Sequence, residues 1–320
     1  MRELQPRGLF VGLATLDVIH RIDAPPAPNE KITATAQFVA AGGPAANAAV
    51  TFAALGGRPT LVTALGTGTI ARAIADDLRL AGVDVVDIAE TRENISSVSS
   101  VSVLERTGER AVIGGDAAGL IIEAPSAQLL DALLLGIDVV LFDGHYPHLA
   151  QAIASRMHRF EIPSILDAGR WKPVMADLIS HVSDVVASAD FRVPGTLTSS
   201  ETAQRLSESG APVVVSTAGE RPVRWWSGGG HGEVPVRTVA AVDTLAAGDV
   251  FHGAYAFARV NVLDIRERIA YANEVAATRC EYVGPRSWIG AIGLIPLPAA
   301  TDPPETQVQT PELPTARGEK

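Results

Sequence analysis

The chain has 320 residues, is 47% hydrophobic and 19% charged, and carries a formal net charge of −10; this globular mixture excludes collagen-like, coiled-coil and wholly disordered classes. The excess of acids argues against a nucleic-acid partner, because phosphate contacts need a basic surface, although locally focused positive charge still suits a small anion. Cys280 is the only cysteine, so neither an intramolecular disulfide nor a cysteine-based zinc site is expected.

No apolar run approaches the ~20 residues of a bilayer span, and residues 1–8 (MRELQPRG) precede no signal core. A protein that touches no membrane and works in the cytoplasm is expected. Asn94-Ile95-Ser96 then matches a glycosylation sequon by chance.

Strand and helix patterns alternate along most of the chain. Leu9–Leu13 reads as a strand with Asp17 close behind it. Pro44–Leu55 reads as an alanine-rich helix, with proline at a first-turn position where a missing N–H costs nothing. Thr60–Leu65 and Val83–Ile88 read as strands around a helix at Thr69–Ala81. Ser97–Leu104 and Ala111–Ile113 flank a hairpin turn at Glu105–Glu109. Strands follow at Val139–Phe142, Ser164–Asp167, Val185–Ala187 and Val213–Thr217. Helices are predicted at Ala127–Leu135, His148–Phe160 and Glu201–Glu208. Val223–Trp226 and Glu233–Thr238 form a strand pair, and Asp249–Val260 and Ile265–Cys280 are the closing helices. Such alternation argues a mostly parallel sheet covered on both faces. The β-rich stretches at about 15–40 and 97–113 fall outside it and predict a small separate sheet. The folded unit is expected over 8–300, with a Pro/Thr/Glu-rich disordered tail over 301–320.

Three glycine-rich or small-residue segments each stand before a helix. In Val242–Ala254, the residues Ala246, Ala247 and Gly248 permit close approach, and the free N–H groups of a helix start make an anion site. Asp249 there reads either as a first-turn acid or as a base beside that site. In Gly42-Gly43-Pro44-Ala45-Ala46-Asn47, the Asn47 amide can donate to and accept from a polyol, or simply be satisfied by backbone. Gly66-x-Gly68-x-x-Ala71, with Glu90 about twenty residues on, fits a dinucleotide-binding fingerprint. No Walker A loop, G-x-S-x-G or H-E-x-x-H occurs. His145 and His148 lack a carboxylate pair that would suggest a metal, and His252 reads as a packed or solvent-facing helix residue.

Together, Gly42–Asn47 and Asp243-Thr244-Leu245-Ala246-Ala247-Gly248-Asp249 resemble the two signatures of the ribokinase-like (PfkB) carbohydrate kinases. They stand in the same order and about 200 residues apart. The resemblance spans about residues 8–290. Val11-Gly12-Leu13 with Leu16–Ile19, Gly66–Leu78, Thr107–Arg110, and Cys280 followed by Gly284 are similar to the ketohexokinase-like branch. Asp249–Ala254 is also similar to bacterial sulfofructose kinases.

The resemblance implies an α/β sandwich with a β lid, and transfer of the ATP γ-phosphoryl group, with Mg²⁺, to a sugar hydroxyl, a ketose being favoured. It implies Asp249 as base and the N–H groups of Ala246, Ala247 and Gly248 as anion hole. Asp17, Gly42, Gly43, Asn47 and Arg110 would contact the sugar. Asp243, Thr244, Thr217, Gly219 and Asn273 would face the nucleotide. It also implies, for the wider family, a monovalent-cation site near Asp243. Oligomeric state is left open by the sequence, with a lid-to-lid homodimer compatible with an exposed lid sheet. Two departures stand out. Ala246 replaces a glycine, which is tolerable only at negative φ. The N-x-x-E magnesium-associated motif is replaced by Ser188-Ala189-Asp190-Phe191, so no metal ligand is assigned. The alternatives are an NAD-dependent oxidoreductase using Gly66, Gly68 and Glu90, and a non-catalytic sugar-binding relative.

Overall fold

The computed structural model describes residues 5–117, 119–157, 159–261 and 264–298; the predicted tail at 301–320 lies outside them. Among the described residues, nine strands form the main sheet. They are β1 (Arg7–Val11), β4 (Arg58–Thr63), β5 (Asp84–Asp87), β8 (Val139–Phe142), β9 (Ser164–Ala168), β10 (Asp184–Ser188), β11 (Val213–Ala218), β12 (Arg221–Ser227) and β13 (Gly230–Val234). Their order is β13-β12-β11-β10-β9-β8-β1-β4-β5. All pairs are parallel except the terminal β11–β12–β13 meander.

Strands buried on both faces must be apolar throughout. Val139–Phe142 (VVLF) is such a strand, buried along its whole length. One face is covered by α1 (Pro44–Ala54), α2 (Thr69–Leu80), α7 (Ala247–Val260), α8 (Ile265–Cys280) and the short α9 (Ile289–Ile292). The other is covered by α3 (Ala127–Leu134), α4 (Pro147–Met157), the single turn α5 (Met175–Leu178) and α6 (Ser199–Glu208). Capping boxes fix the starts of α6 (Thr198 with Glu201) and α8 (Asp264 with Glu267). None of the helices in the described residues is long and apolar enough to cross a membrane.

The β-rich stretches outside the alternation form a separate four-stranded sheet, as expected. It comprises β2 (Thr15–Ile22), β3 (Ala36–Gly42), β6 (Ser97–Leu104) and β7 (Arg110–Gly114), in the order β3-β2-β6-β7. Register assigns its faces. Asp17 pairs with Ala40 and Ser99, and Arg21 lies in the row of Val103 and Arg110. With a side-chain period of two, Asp17, Ile19, Val101 and Arg110 share one face, and Val39, Val98 and Ile113 share the other. The first face turns inward: Ile19, Val101 and Val103 form a small core with Leu245, against which Phe38 and Ala246 pack. This sheet is the lid, and its core rests on the loop before α7.

A candidate active site beneath the lid

In parallel sheets, ligands bind at the carboxyl ends of the strands, where the strand order reverses. Here that reversal lies at β1, flanked by β4 and β8. The α7 start faces the same end. Gly248 and Asp249 are in its first turn, where N–H groups have no partner within the helix. The Ala247 N–H is already donated, at 3.3 Å, to the Thr244 carbonyl. Ala246 departs from expectation. It stands at φ 59°, ψ 13°, in the left-handed region, a conformation costing an L-residue roughly 1–2 kcal/mol. Its methyl group packs against the lid core, a contact that partly offsets the cost.

Asp249 meets Asn47 across two helices, with Asn47 Nδ2 donating to Asp249 Oδ2 at 2.8 Å. The approach depends on small residues. A Cβ at Gly253 on α7 would lie 2.3 Å from the Ala48 carbonyl oxygen of α1, so only glycine allows this helix pair to close. Asp249 is half-buried, open to the cleft but deeply set among protein atoms. Burial pushes its carboxyl up to about 6, and the nearby Asp167 charge adds to this; Asn47, His252 and Arg110 oppose it.

The other residues expected to contact the sugar converge on the same cleft. Asp17 is buried, accepts from Thr15 Oγ1 at 2.6 Å, and is raised above the usual carboxylate range by burial. Its carboxylate fills the space where a Gly42 side chain would stand, 2.0 Å from an added Cβ. Gly43 has φ 99°, and a Cβ there would meet the Leu13 carbonyl oxygen at 2.4 Å. Arg110 reaches down from the lid, Nη1 donating to Thr244 Oγ1 at 3.3 Å. The lid turn is tied to the same loop. Gly108 O accepts from Thr244 N at 3.0 Å and from Thr244 Oγ1 at 2.7 Å.

Sequence reasoning missed the acids and cations at the ends of β8 and β9. Asp143 is buried and accepts from Leu13 N (2.9 Å), Ala45 N (3.2 Å) and His145 N (2.9 Å). Burial opposes its charge, but His145 and Lys172 outweigh that and hold it at about 2. His145 bridges Asp143 (2.9 Å) to Asp116 (2.8 Å) at the lid exit. Asp167 is buried 3.4 Å from His252 Nε2, and burial raises its pKa. His252 is packed, with ring nitrogens on Gly248 O and Val186 O. The available signal was an Asp at the end of each apolar strand, in VVLFD and SILDA.

The nucleotide-side expectations lie further along the sheet. Thr217 ends β11, its hydroxyl donating to Ala187 O at 3.4 Å. Gly219 makes the β11–β12 turn at φ 63°. Asn273 is buried on α8, its amide donating to Pro235 O at 3.1 Å. Among the described residues no group of three His, Cys, Asp or Glu side chains is arranged to hold a metal.

The monovalent-cation expectation at Asp243 does not fit the residues present. Asp243 is buried, and its Oδ1 accepts from Leu245 N (3.0 Å) and faces Arg279 Nη2 (3.2 Å). Its Oδ2 accepts from Gly284 N at 2.9 Å. A guanidinium already supplies the positive charge.

The dinucleotide expectation also fails on geometry. The Gly66 loop follows β4, next to the sheet edge. Its Leu65 and Gly66 N–H groups are bound by the Asp87 carboxylate at 2.9 and 2.8 Å. A Cβ at Gly66 would strike the Arg92 carbonyl oxygen at 2.2 Å, so this glycine serves chain packing. The adjacent groove, about 500 Å³, is lined by Asp76, Asp87 and Glu90 as well as Arg72 and Arg79, a poor seat for a pyrophosphate.

A closed lid over the start of α7, with a carboxylate among helix N–H donors, defines a fold and site suited to transfer of an anionic group to a polyol. Residues 7–289 match the pfkB family of carbohydrate kinases, and the chain belongs to that family. Its enzymes are phosphotransferases with alcohol acceptors, which removes the oxidoreductase alternative. The chain is 27% identical to ribokinase of Bacillus subtilis, over 83% of this chain and 90% of the relative. It is also 27% identical to an ATP-dependent ribose-1-phosphate kinase of Halopiger xanaduensis, over 88% and 94%. The structure of Arabidopsis thaliana ribokinase complexed with ribose and ATP superposes with a TM-score of 0.72 at 22% identity, over 92% of this chain and 100% of that one. The two curated relatives support a ribokinase-like carbohydrate kinase without singling out the ketohexokinase-like branch.

Proposed function

We propose that the protein transfers the γ-phosphoryl group of ATP to a hydroxyl of a sugar held between lid and sheet. The observation that carries this reading is the meeting of Asn47 with Asp249 at the first turn of α7, beneath the lid. A hydroxyl is a weak nucleophile at neutral pH, and a positioned carboxylate can accept its proton as the new bond forms. Asp249 takes that proton. The sugar oxygen then bonds to the γ-phosphorus as the bond to the β,γ-bridging oxygen breaks, and ADP departs. The first-turn N–H groups of α7, around Ala246, Ala247 and Gly248, offset charge on the transferring group, with Gly248 foremost because the Ala247 N–H also donates to Thr244 O. Mg²⁺ carried on the substrate nucleotide would offset phosphate charge, and no side chain of this protein is assigned to hold it.

Asp17, Gly42, Gly43, Asn47 and Arg110 bind the sugar in this reading. Thr244, Thr217, Gly219 and Asn273 line the nucleotide side, and Asp243 shapes the loop from behind. The lid excludes water, which would otherwise compete for the phosphoryl group. The names of the relatives favour a ribose-type acceptor, and the ketose suggested by the sequence motifs stands behind it. The outer lid face exposes Val39, Val98 and Ile113, and a second copy of the chain is the proposed cover; sedimentation at a dimer's mass is expected, and a monomer at all concentrations would contradict it.

The test is ADP release from MgATP across ribose, ribose 1-phosphate, fructose, sulfofructose and adenosine. Release that depends on one acceptor, whose mass rises by one phosphate, is expected. Absence of turnover across the panel, with ATP still raising the melting temperature, would instead favour the non-catalytic relative.

A further inference from the structure

The buried ion pair behind the phosphoryl-transfer loop has chemistry that the site itself does not use. Arg279, in the last turn of α8, is 1% exposed. Its guanidinium is held by three oxygens: Asp243 Oδ1 at 3.2 Å, Asp243 O at 3.3 Å and Tyr282 O at 2.9 Å. It also lies 6.0 Å from the centre of the Trp288 ring. One carboxylate and two carbonyl oxygens around a buried point are a hard donor set suited to a simple cation. Here the cation is part of the chain.

The pair sits where it can position the loop. Asp243 opens the run that ends at Asp249. Its remaining acceptor contacts, from Leu245 N and Gly284 N, fix the loop on both sides. Val242 N and Asp243 N both donate to the carbonyl of Cys280, the residue after Arg279, at 2.8 and 3.3 Å. The helix that carries the guanidinium and the loop that carries the base are thus joined by backbone and by charge. An Asp243 carboxylate without a counter-charge would be buried at high cost, and the loop would shift to rehydrate it.

We infer that Arg279 is a built-in counter-cation for Asp243, a positioning residue that holds the 243–249 loop in its transfer-competent shape and makes the enzyme independent of added monovalent cations. The inference rests on the reading of that loop as the phosphoryl-transfer site. A second monovalent cation beside the guanidinium would be repelled by it and would find the Asp243 oxygens already engaged.

The experiment compares wild type, Arg279→Met and Arg279→Lys in choline, sodium, potassium and ammonium chloride at equal ionic strength, with guanidinium chloride as a further addition to the methionine variant. Sugar-dependent ADP release and melting temperature are both read. Wild-type rates are expected to agree within about twofold in all salts. Arg279→Met is expected to lose roughly tenfold or more in choline, in keeping with a buried charge left unpaired. Potassium, ammonium or guanidinium should restore much of that rate and raise the melting temperature, where choline does neither. Arg279→Lys should keep its rate in choline.

Several-fold activation of the wild type by potassium would overturn the inference. So would full activity of Arg279→Met in choline, or a loss that no cation repairs. If the methionine variant does not fold, the wild-type salt series and the lysine variant still decide. If no acceptor is turned over by any form, the phosphoryl-transfer reading has failed rather than this one, and the cation-specific melting shift of Arg279→Met against wild type remains the test.

Discussion

Two glycine-rich turns lie one strand apart in this fold and look alike in sequence. Both precede a helix, and both hold a glycine with positive φ, Gly43 at 99° and Gly66 at 71°. At Gly42–Asn47, chemistry converges from distant elements: Asp17 from the lid, Asp143 from the end of β8, and Asp249 from α7. At Gly66–Ala71, the turn is closed on itself. Asp87 binds its N–H groups, the Arg92 carbonyl presses on Gly66, and Thr67 N donates to Arg92 O at 2.8 Å. Both turns have N–H groups held by a carboxylate, Ala45 N by Asp143 and Leu65 N and Gly66 N by Asp87; what separates them is that reactive groups from distant elements arrive only at the first.

The largest effect is expected from removing the group that arrives. Asp249→Asn should lower kcat by a factor of about 10² or more, while ATP continues to raise the melting temperature. A variant with near wild-type kcat would remove Asp249 from the role of base.

The two turns themselves make the second test. Gly43→Ala and Gly66→Ala each force a side chain into the left-handed region against a carbonyl oxygen, at a cost of about 2 kcal/mol. Both should lower the melting temperature. Only Gly43→Ala should also lower kcat, by roughly tenfold, because a displacement of about 1 Å of positioning groups is expensive in rate. Equal kinetic losses in both would show that the Gly66 turn belongs to the active site.

The smallest effect belongs to Ala246→Gly. Relief of left-handed strain, about 1 kcal/mol, is opposed by loss of a buried methyl group, about 0.8 kcal/mol. The melting temperature should therefore hardly move. A rise equivalent to more than about 1 kcal/mol would show that the methyl contributes nothing to lid packing.

Much of this fold is legible in the sequence. Val139–Phe142 and Ile265–Cys280 were predicted with the ends they have, because an all-apolar buried strand and a capped helix announce themselves locally. The lid stretches were recognisable by failing to fit the alternation. The partners of Asp249 were harder to see. Asn47 lies 202 residues away, and its contact depends on Gly253 letting two helices close. Asp143 and Asp167 sit side by side only because β8 and β9 pair beside β1, a consequence of strand order that no local pattern carries. Arg279 stands in the last turn of α8, where the dipole favours any cation, so no local pattern marks the Asp243 carboxylate that the loop brings to it. Ala246 was expected at negative φ by steric reasoning alone; packing under the lid overrides that preference.

Asp249 is proposed as a base tuned by its neighbours, and the pH dependence of kcat/KM for the sugar, which reports the free enzyme, tests that role most directly. Burial and Asp167 raise the Asp249 carboxyl to about 6. A base must be deprotonated, so kcat/KM should fall as pH drops through about 6. Asp167→Asn removes a neighbouring negative charge and should move that limb to lower pH. Asn47→Ala removes a hydrogen bond to the charged form and should move it to higher pH. Titration of the nucleotide is common to all three proteins and cancels in the comparison. Opposite displacements of the two variants are the predicted result; a limb that stays in place in both would contradict the assignment of Asp249 as the base.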